Sequence, residues 1–107
     1  MKTTATYKNG LLTISISGEL DHHAAKTAVA AIEDGIDVHL PKHLTLDFCG
    51  LTFMDSSGIA VILKAHRRIN EIHGTVTVEN MPAQPQKVLD AAGLGRLVKI
   101  VVPAKEA

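Results

Sequence analysis

The chain has 107 residues, 46% of them hydrophobic, and its 11 Lys and Arg balance its 11 Asp and Glu. That length suits one domain, residues 1–107, with a single core, and is small for an enzyme that must also enclose a substrate. With no net field, no basic run and only Tyr7, Phe48 and Phe53 as aromatics, the composition speaks against nucleic-acid binding, which draws on cationic surface and stacking platforms. Cys49 is the only cysteine, so an intrachain disulfide and a cysteine-based metal site are excluded and a reducing cytoplasm fits. Met1 to Thr6 lacks the apolar core of a signal peptide, and nowhere do about 18 apolar residues run together as a membrane span requires. The expectation is a soluble, cytoplasmic protein that does not engage a membrane.

Thr4 to Lys8 and Leu11 to Ser17 flank Asn9-Gly10, the dipeptide that most readily takes the positive φ angles of a two-residue hairpin turn. In the second strand Leu12, Ile14 and Ile16 alternate with Thr13, Ser15 and Ser17, and Gly18-Glu19-Leu20-Asp21 ends it. Asp21 can cap a helix whose apolar stripe is Ala25, Ala28, Val29 and Ile32, with Gly35 just past its end. Residues 36–43, containing Pro41, read as a connection. Leu44, Leu46 and Phe48 then alternate with Thr45, Asp47 and Cys49 as a half-buried strand leading to Leu51-Thr52-Phe53-Met54. Beyond Asp55-Ser56-Ser57 the period becomes helical, through Ile59, Ile62, Ala65, Ile69 and Ile72, and Gly74 is placed as the left-handed cap.

Thr75 to Glu79 is the next strand. Asn80-Met81-Pro82 leads into a third helix, with Pro82 and Pro85 in its first turn, Val88, Leu89 and Ala92 facing inward, and Gly93 at its end. Leu97 to Val102 forms a last strand, and the five residues after it add little. A hairpin followed by three crossovers, with alternating rather than uniformly apolar strands, describes an α/β domain: a mixed sheet with helices mainly on one face.

Asp55-Ser56-Ser57 therefore sits at a helix N-terminus, where unpaired amides and the dipole welcome a side-chain oxygen or a phosphate. Taken by itself the triplet reads as a helix cap. A hydrolase elbow would be Gly-x-Ser-x-Gly, but Met54 holds the first glycine position around Ser56, and no oxyanion loop or ordered acid and histidine follows. Gly93-Leu94-Gly95 lacks the remaining glycine of a dinucleotide fingerprint. The adjacent His22 and His23 diverge by about 100° on a helix and suit a metal poorly. His39 and His43 read as surface loop residues and Cys49 as a small buried hydrophobe. No metal or cofactor is expected.

Two stretches, Gly18-Glu19-Leu20-Asp21-His22-His23 and Phe53-Met54-Asp55-Ser56-Ser57-Gly58-Ile59, resemble the signatures of the anti-sigma factor antagonists of the sporulation type. These belong to the STAS domains (sulfate transporter and anti-sigma factor antagonist). Leu89-Asp90-Ala91-Ala92-Gly93-Leu94 is similar to that family's later Leu-Phe-x-x-x-Gly-Leu segment, and the short tail departs from it by leaving little room for a final helix. The resemblance implies a switched binding module rather than an enzyme. Its unphosphorylated form would bind an anti-sigma factor that is also a serine kinase, so freeing the sigma factor. Phosphorylation at Ser56 would end that binding and a serine phosphatase would restore it. Asp55 would orient the hydroxyl or set kinase recognition.

Both stretches end strands and start helices, so they should emerge at one edge of the sheet. The expected partner face comprises Asp21, His22, Asp55, Ser56, Ser57 and Gly58, with Met81 and Pro82 added by their place after the next strand. A second reading keeps the fold and makes the domain a scaffold subunit of a stress-sensing assembly or a lipid-transport complex.

Overall fold

A computed structural model describes residues 1–101. Strands β1 (Lys2–Lys8) and β2 (Leu11–Leu20) form the opening hairpin. Asn9 and Gly10 take φ of 50° and 85°, the pair of positive angles that the two-residue turn requires. Leu12, Ile14 and Ile16 are buried as their alternation indicates.

β2 does not stop at Ser17. Gly18, at φ 89°, shifts the register, and the strand continues to Leu20 with a new neighbour. Helix α1 (His22–His39) begins at Asp21, whose carboxylate accepts the Ala24 N–H at 3.0 Å. It runs through Gly35, where the sequence placed its end. Gly35 serves close packing instead, since a Cβ there would stand 3.0 Å from Leu12 Cδ2. Ala28, Ile32 and Ile36 form one buried stripe at spacing four, so the helix gains by continuing to Ile36. It closes at Leu40, in the left-handed region at φ 46°, just before Pro41. The expected connection of residues 36–43 thus shrinks to Leu40–Lys42.

β3 (His43–Asp47) and β4 (Leu51–Met54) replace the single strand expected here. Phe48 and Leu51 are both buried although three residues apart, a change of phase that one flat strand cannot hold. A tight turn resolves it, with the Leu51 N–H donating to the Phe48 carbonyl at 3.0 Å. Cys49 in this turn is exposed, not buried as expected. Its neighbour Gly50 passes so near β2 that a Cβ would lie 2.7 Å from Ser17 Cβ.

Helix α2 (Ser56–Glu71) follows, burying Ile62, Ala65 and Ile69. The left-handed residue after it is His73 (φ 62°), not Gly74. Gly74 is buried because a Cβ there would meet Ile69 Cγ1 at 2.7 Å and the Lys42 carbonyl oxygen at 3.0 Å. Arg68 ties α2 to α1 by pairing with Asp37 as well as with Glu71 in its own helix.

β5 (Thr75–Glu79), α3 (Ala83–Ala92), a 3-10 turn at Leu94–Arg96 and β6 (Lys99–Val101) complete the described chain. Gly93 ends α3 at φ 68° as expected. Leu89 is buried and Val88 partly so, but Ala92 is exposed. The last strand starts later than expected because the 3-10 turn buries Leu94 and consumes the residues after it. Val102 and the tail, with the expectation about a final helix, lie outside the described residues.

The sheet order is β1-β2-β3-β5-β6, with β4 paired to the end of β2. Only β1 is antiparallel to its neighbour. Six strands and three helices make the expected mixed α/β fold. α1 and α2 pack against each other over the apolar face, α1 on β2 and α2 on β5. The opposite face is a polar ladder in which Thr13, Thr45 and Thr77 lie abreast. His43 belongs to β3 rather than to a loop, and its ring bonds Thr75 Oγ1 at 2.6 Å and Thr77 Oγ1 at 3.0 Å.

Gly74→Ala places a methyl 2.7 Å from the buried Ile69 Cγ1 and 3.0 Å from the Lys42 carbonyl oxygen, so the Ile69 side chain has to shift in the core. It is expected to cost about 1–3 kcal/mol of stability, read as a lower urea midpoint at unchanged slope. A midpoint equal to wild type would show that the α2–β5 turn has slack.

Candidate functional site

The ends of β2 and β4 lie side by side, Leu20 opposite Met54, and the Asp55 N–H donates to the Leu20 carbonyl at 3.4 Å. The next residue on each strand is an aspartate that caps a helix. Asp21 accepts from Ala24, and Asp55 accepts the Ser57 N–H at 2.8 Å. Both have extended backbone, with φ −102° and −106°. Two helix N-termini, each with its own carboxylate, therefore open at one edge of the sheet.

Ser56, the first residue of α2, is exposed, while Ser57 is half-buried. Neither hydroxyl makes a hydrogen bond among the described residues. His22 and His23 are exposed, with rings edge to face at 5.9 Å. They line an open groove of about 670 Å³ between α1 and α2, together with Lys26, Glu33, Ser57 and Lys64. The structure thus brings together Asp21, His22, Asp55, Ser56 and Ser57. Among the described residues no group of three or more His, Cys, Asp or Glu could hold a metal ion.

Gly58 and Met81 do not belong on the exposed face. Gly58 is buried because the first turn of α2 rests on Met54. A Cβ there would approach Met54 Sδ to 2.5 Å and Leu20 Cδ2 to 3.3 Å. Met81 is 4% exposed and part of the core, so its side chain is not presented to a partner. Pro82 is half-buried at the start of α3.

Two residues left out of the expected partner face stand at this edge. Phe53 is 40% exposed, one residue before Met54; strand alternation from the buried Leu51 would have hidden it, so the sequence carried no signal for its exposure. Gln84, from α3, bonds the Met54 peptide. Thirty residues of separation left no sequence signal for that contact.

Cys49 lies in the β3–β4 turn. Its backbone N–H donates to Asp47 Oδ1 at 3.0 Å. The Asp47 carboxylate raises the thiol pKa, first by accepting its hydrogen bond and then by charge.

The sequence pattern of the STAS domain matches residues 2–107, and the chain belongs to that family. It is 33% identical over 94 residues to the anti-sigma F factor antagonist of Paenibacillus polymyxa, covering 88% of this chain and 80% of that one. Among solved structures, the anti-sigma factor antagonist SpoIIAA in its unphosphorylated form superposes with a TM-score of 0.79 at 28% identity, over 98% of this chain and 90% of that one. The phosphorylated form of the Bacillus cell fate determinant SpoIIAA superposes with a TM-score of 0.71 at 28% identity, over 98% and 93%. No helix among the described residues is long and apolar enough to cross a membrane.

Gly58→Ala is expected to cost about 1–3 kcal/mol by overpacking, and less in a Met54→Ala background, where the space is vacated. Equal costs in the two backgrounds, measured by urea unfolding, would show that Met54 is not what excludes a side chain at position 58. The raised thiol pKa means less thiolate near pH 8 than in a free cysteine. Asp47→Asn removes the charge that raises it, so iodoacetamide should then label Cys49 faster at that pH, and an unchanged rate would contradict the assignment.

Proposed function

We propose that this chain is an anti-sigma factor antagonist whose binding to an anti-sigma factor is switched off by phosphorylation of Ser56. The observation that carries the reading is the exposed Ser56 hydroxyl, one residue past the Asp55 cap and beside the Asp21 turn. The relative's name and the two phosphorylation forms of a 28%-identical protein of this fold support it.

The unphosphorylated face, built from Asp21, His22, Asp55, Ser56 and Ser57 with Phe53 and Pro82 at its border, docks on the anti-sigma factor and so releases the sigma factor. That anti-sigma factor is also a serine kinase. Its γ-phosphoryl group passes from ATP to Ser56 Oγ. The Oγ–P bond forms as the bond to the β-phosphate breaks, ADP leaves, and the hydroxyl proton is lost. A serine phosphatase hydrolyses the ester and resets the switch. This chain is the substrate of both reactions, and Ser56 needs no base from its own fold.

Electrostatics decides what the phosphate does. It adds roughly −1.5 to −2 charges at a helix N-terminus, where amide donors and the dipole offset them, so the fold survives. Survival of the fold agrees with the overlap of both SpoIIAA forms with this chain. A partner surface pressed against the same spot must accept that charge beside Asp55 and Asp21, with like-charge repulsion and desolvation. A penalty of about 3 to 4 kcal/mol weakens association several hundredfold, and no conformational change is needed.

With the cognate kinase and ATP, wild type should gain one phosphate on Ser56 and Ser56→Ala none. Ser56→Ala should keep full affinity for the anti-sigma factor. Ser56→Asp should lose affinity by one hundredfold or more with its melting temperature within about 2 °C of wild type. Equal affinities of the two variants, or phosphate found on Ser57 instead, would sink the proposal.

A further inference from the structure

Gln84 is solvent-exposed, at the second position of α3 and thirty residues from Met54 in sequence. Its carboxamide nevertheless holds the Met54 peptide at both ends. Oε1 accepts the Met54 N–H at 2.9 Å, and Nε2 donates to the Met54 carbonyl at 2.9 Å. Strand pairing explains why those groups are available. The Asp55 N–H turns toward β2 to meet the Leu20 carbonyl, so the Met54 peptide groups turn the other way, to the open edge of β4. There the side chain of Gln84 does what a further strand would do.

The grip sits at a decisive place. Met54 is the last residue of β4, and Asp55 and Ser56 follow it directly. Its side chain is wedged beneath Gly58, two residues beyond Ser56. The Ser56 turn is therefore held from below by the Met54 side chain and from the edge by Gln84. Gln84 itself is steadied by its surroundings: Pro82 opens α3 at φ −67° and Pro85 is buried in the core.

We infer that Gln84 is a positioning residue for the switch, holding the Met54–Ser56 turn in the one shape that the kinase and the anti-sigma factor read. This rests on the proposed function, because it assigns a purpose to the same turn. A turn already in its bound shape has no ordering cost to meet on association. Without the grip, that cost falls on binding, while the phosphoryl transfer within the bound complex is unaltered. The expected signature is a raised KM with unchanged kcat.

The test uses Gln84→Leu, which keeps the bulk and loses both bonds, and Gln84→Glu, which keeps the acceptor for the Met54 N–H but sets an oxygen against the Met54 carbonyl. Amide hydrogen exchange needs no partner. In Gln84→Leu the Met54 amide should exchange at least about tenfold faster, the loss of roughly one hydrogen bond's worth of protection. The stability lost, read by the urea midpoint, should not exceed that same factor of about ten in the folding equilibrium, and the amides of β3 and β5 should quicken by no more than it. Gln84→Glu should protect the Met54 amide to an intermediate degree. In the kinase assay KM for Gln84→Leu should rise by about tenfold with kcat unchanged.

Unchanged exchange at Met54 overturns the inference, as does faster exchange with an unmoved KM. A fall in kcat at constant KM overturns it too, since the residue would then act on the chemical step. If wild type is never phosphorylated at Ser56, the proposed function falls and with it the role of Gln84 in the switch. The exchange data then still decide whether Gln84 holds the turn.

Discussion

The pairing of the last residues of β2 with those of β4 is the constraint on which the rest of this molecule depends. Besides its hairpin partner β1, β2 has two parallel neighbours, β3 along residues 11–15 and β4 from Gly18 onward. The pairing with β4 is irregular at its start: Gly18 takes a positive φ of 89°, and Thr52 is the extra residue on the β4 side, between the partners of Gly18 and Glu19. It also needs a tight turn between β3 and β4 that lets the chain run on in the same direction beside β2, which Phe48–Gly50 supplies. Once both are in place, Leu20 and Met54 are neighbours, and their successors Asp21 and Asp55 must start helices at one edge. Parallel pairing converts two distant Asp-initiated helices into a single surface.

Close approach of helices to the sheet is the second theme, and it governs several glycines that turn chemistry does not. Gly35 lets α1 lie on Leu12, Gly58 lets α2 begin directly over Met54, and Gly74 lets β5 start against Ile69 and the Lys42 carbonyl. With few aromatics, the core relies on Leu, Ile and Val packed at short distance, completed by Phe48 and Met54. A tightly seated α2 bears on the proposed switch. A charge added at its first residue meets fixed amides and a fixed dipole, so its effect falls on whatever docks outside rather than on the fold.

The two faces of the sheet divide the labour. The apolar face carries α1 and α2. The other is a threonine ladder that satisfies its own hydroxyls in part through His43, which makes that ring a structural element of the sheet. At the edge where α1 and α2 begin the polarity is of another kind: an exposed and a half-buried serine whose hydroxyls have no partners among the described residues, two carboxylates already engaged as caps, and two histidines facing an open groove. Such an edge has no metal cluster and no base hydrogen-bonded to a serine among the described residues.

Local chemistry was legible in the sequence wherever a feature depends on residues near one another along the chain. The Asn9-Gly10 turn, the caps at Asp21 and Asp55, the α2 stripe and the end of α3 at Gly93 all follow from backbone preference and period, and the two signature stretches identified the family. Reading failed where one residue type serves two purposes. Gly35 and Gly74 look like helix stops, but a missing Cβ is equally an answer to a crowded neighbour, and only the packed sheet says which applies. The alternation through Phe48 hid the break between β3 and β4, because its cause is the pairing of β4 with β2 rather than anything local. Met81 and Gly58 sit between half-buried residues in sequence yet are themselves buried, since facing is set by what packs against an element. Gln84 reaches Met54 across thirty residues, a contact that exists only once α3 has docked on β4. The sequence by itself determined most of the helices and strands and that Ser56 follows a helix cap; the tertiary structure alone decided which residues share the edge with it, because sheet pairing and helix docking join positions that no local preference connects.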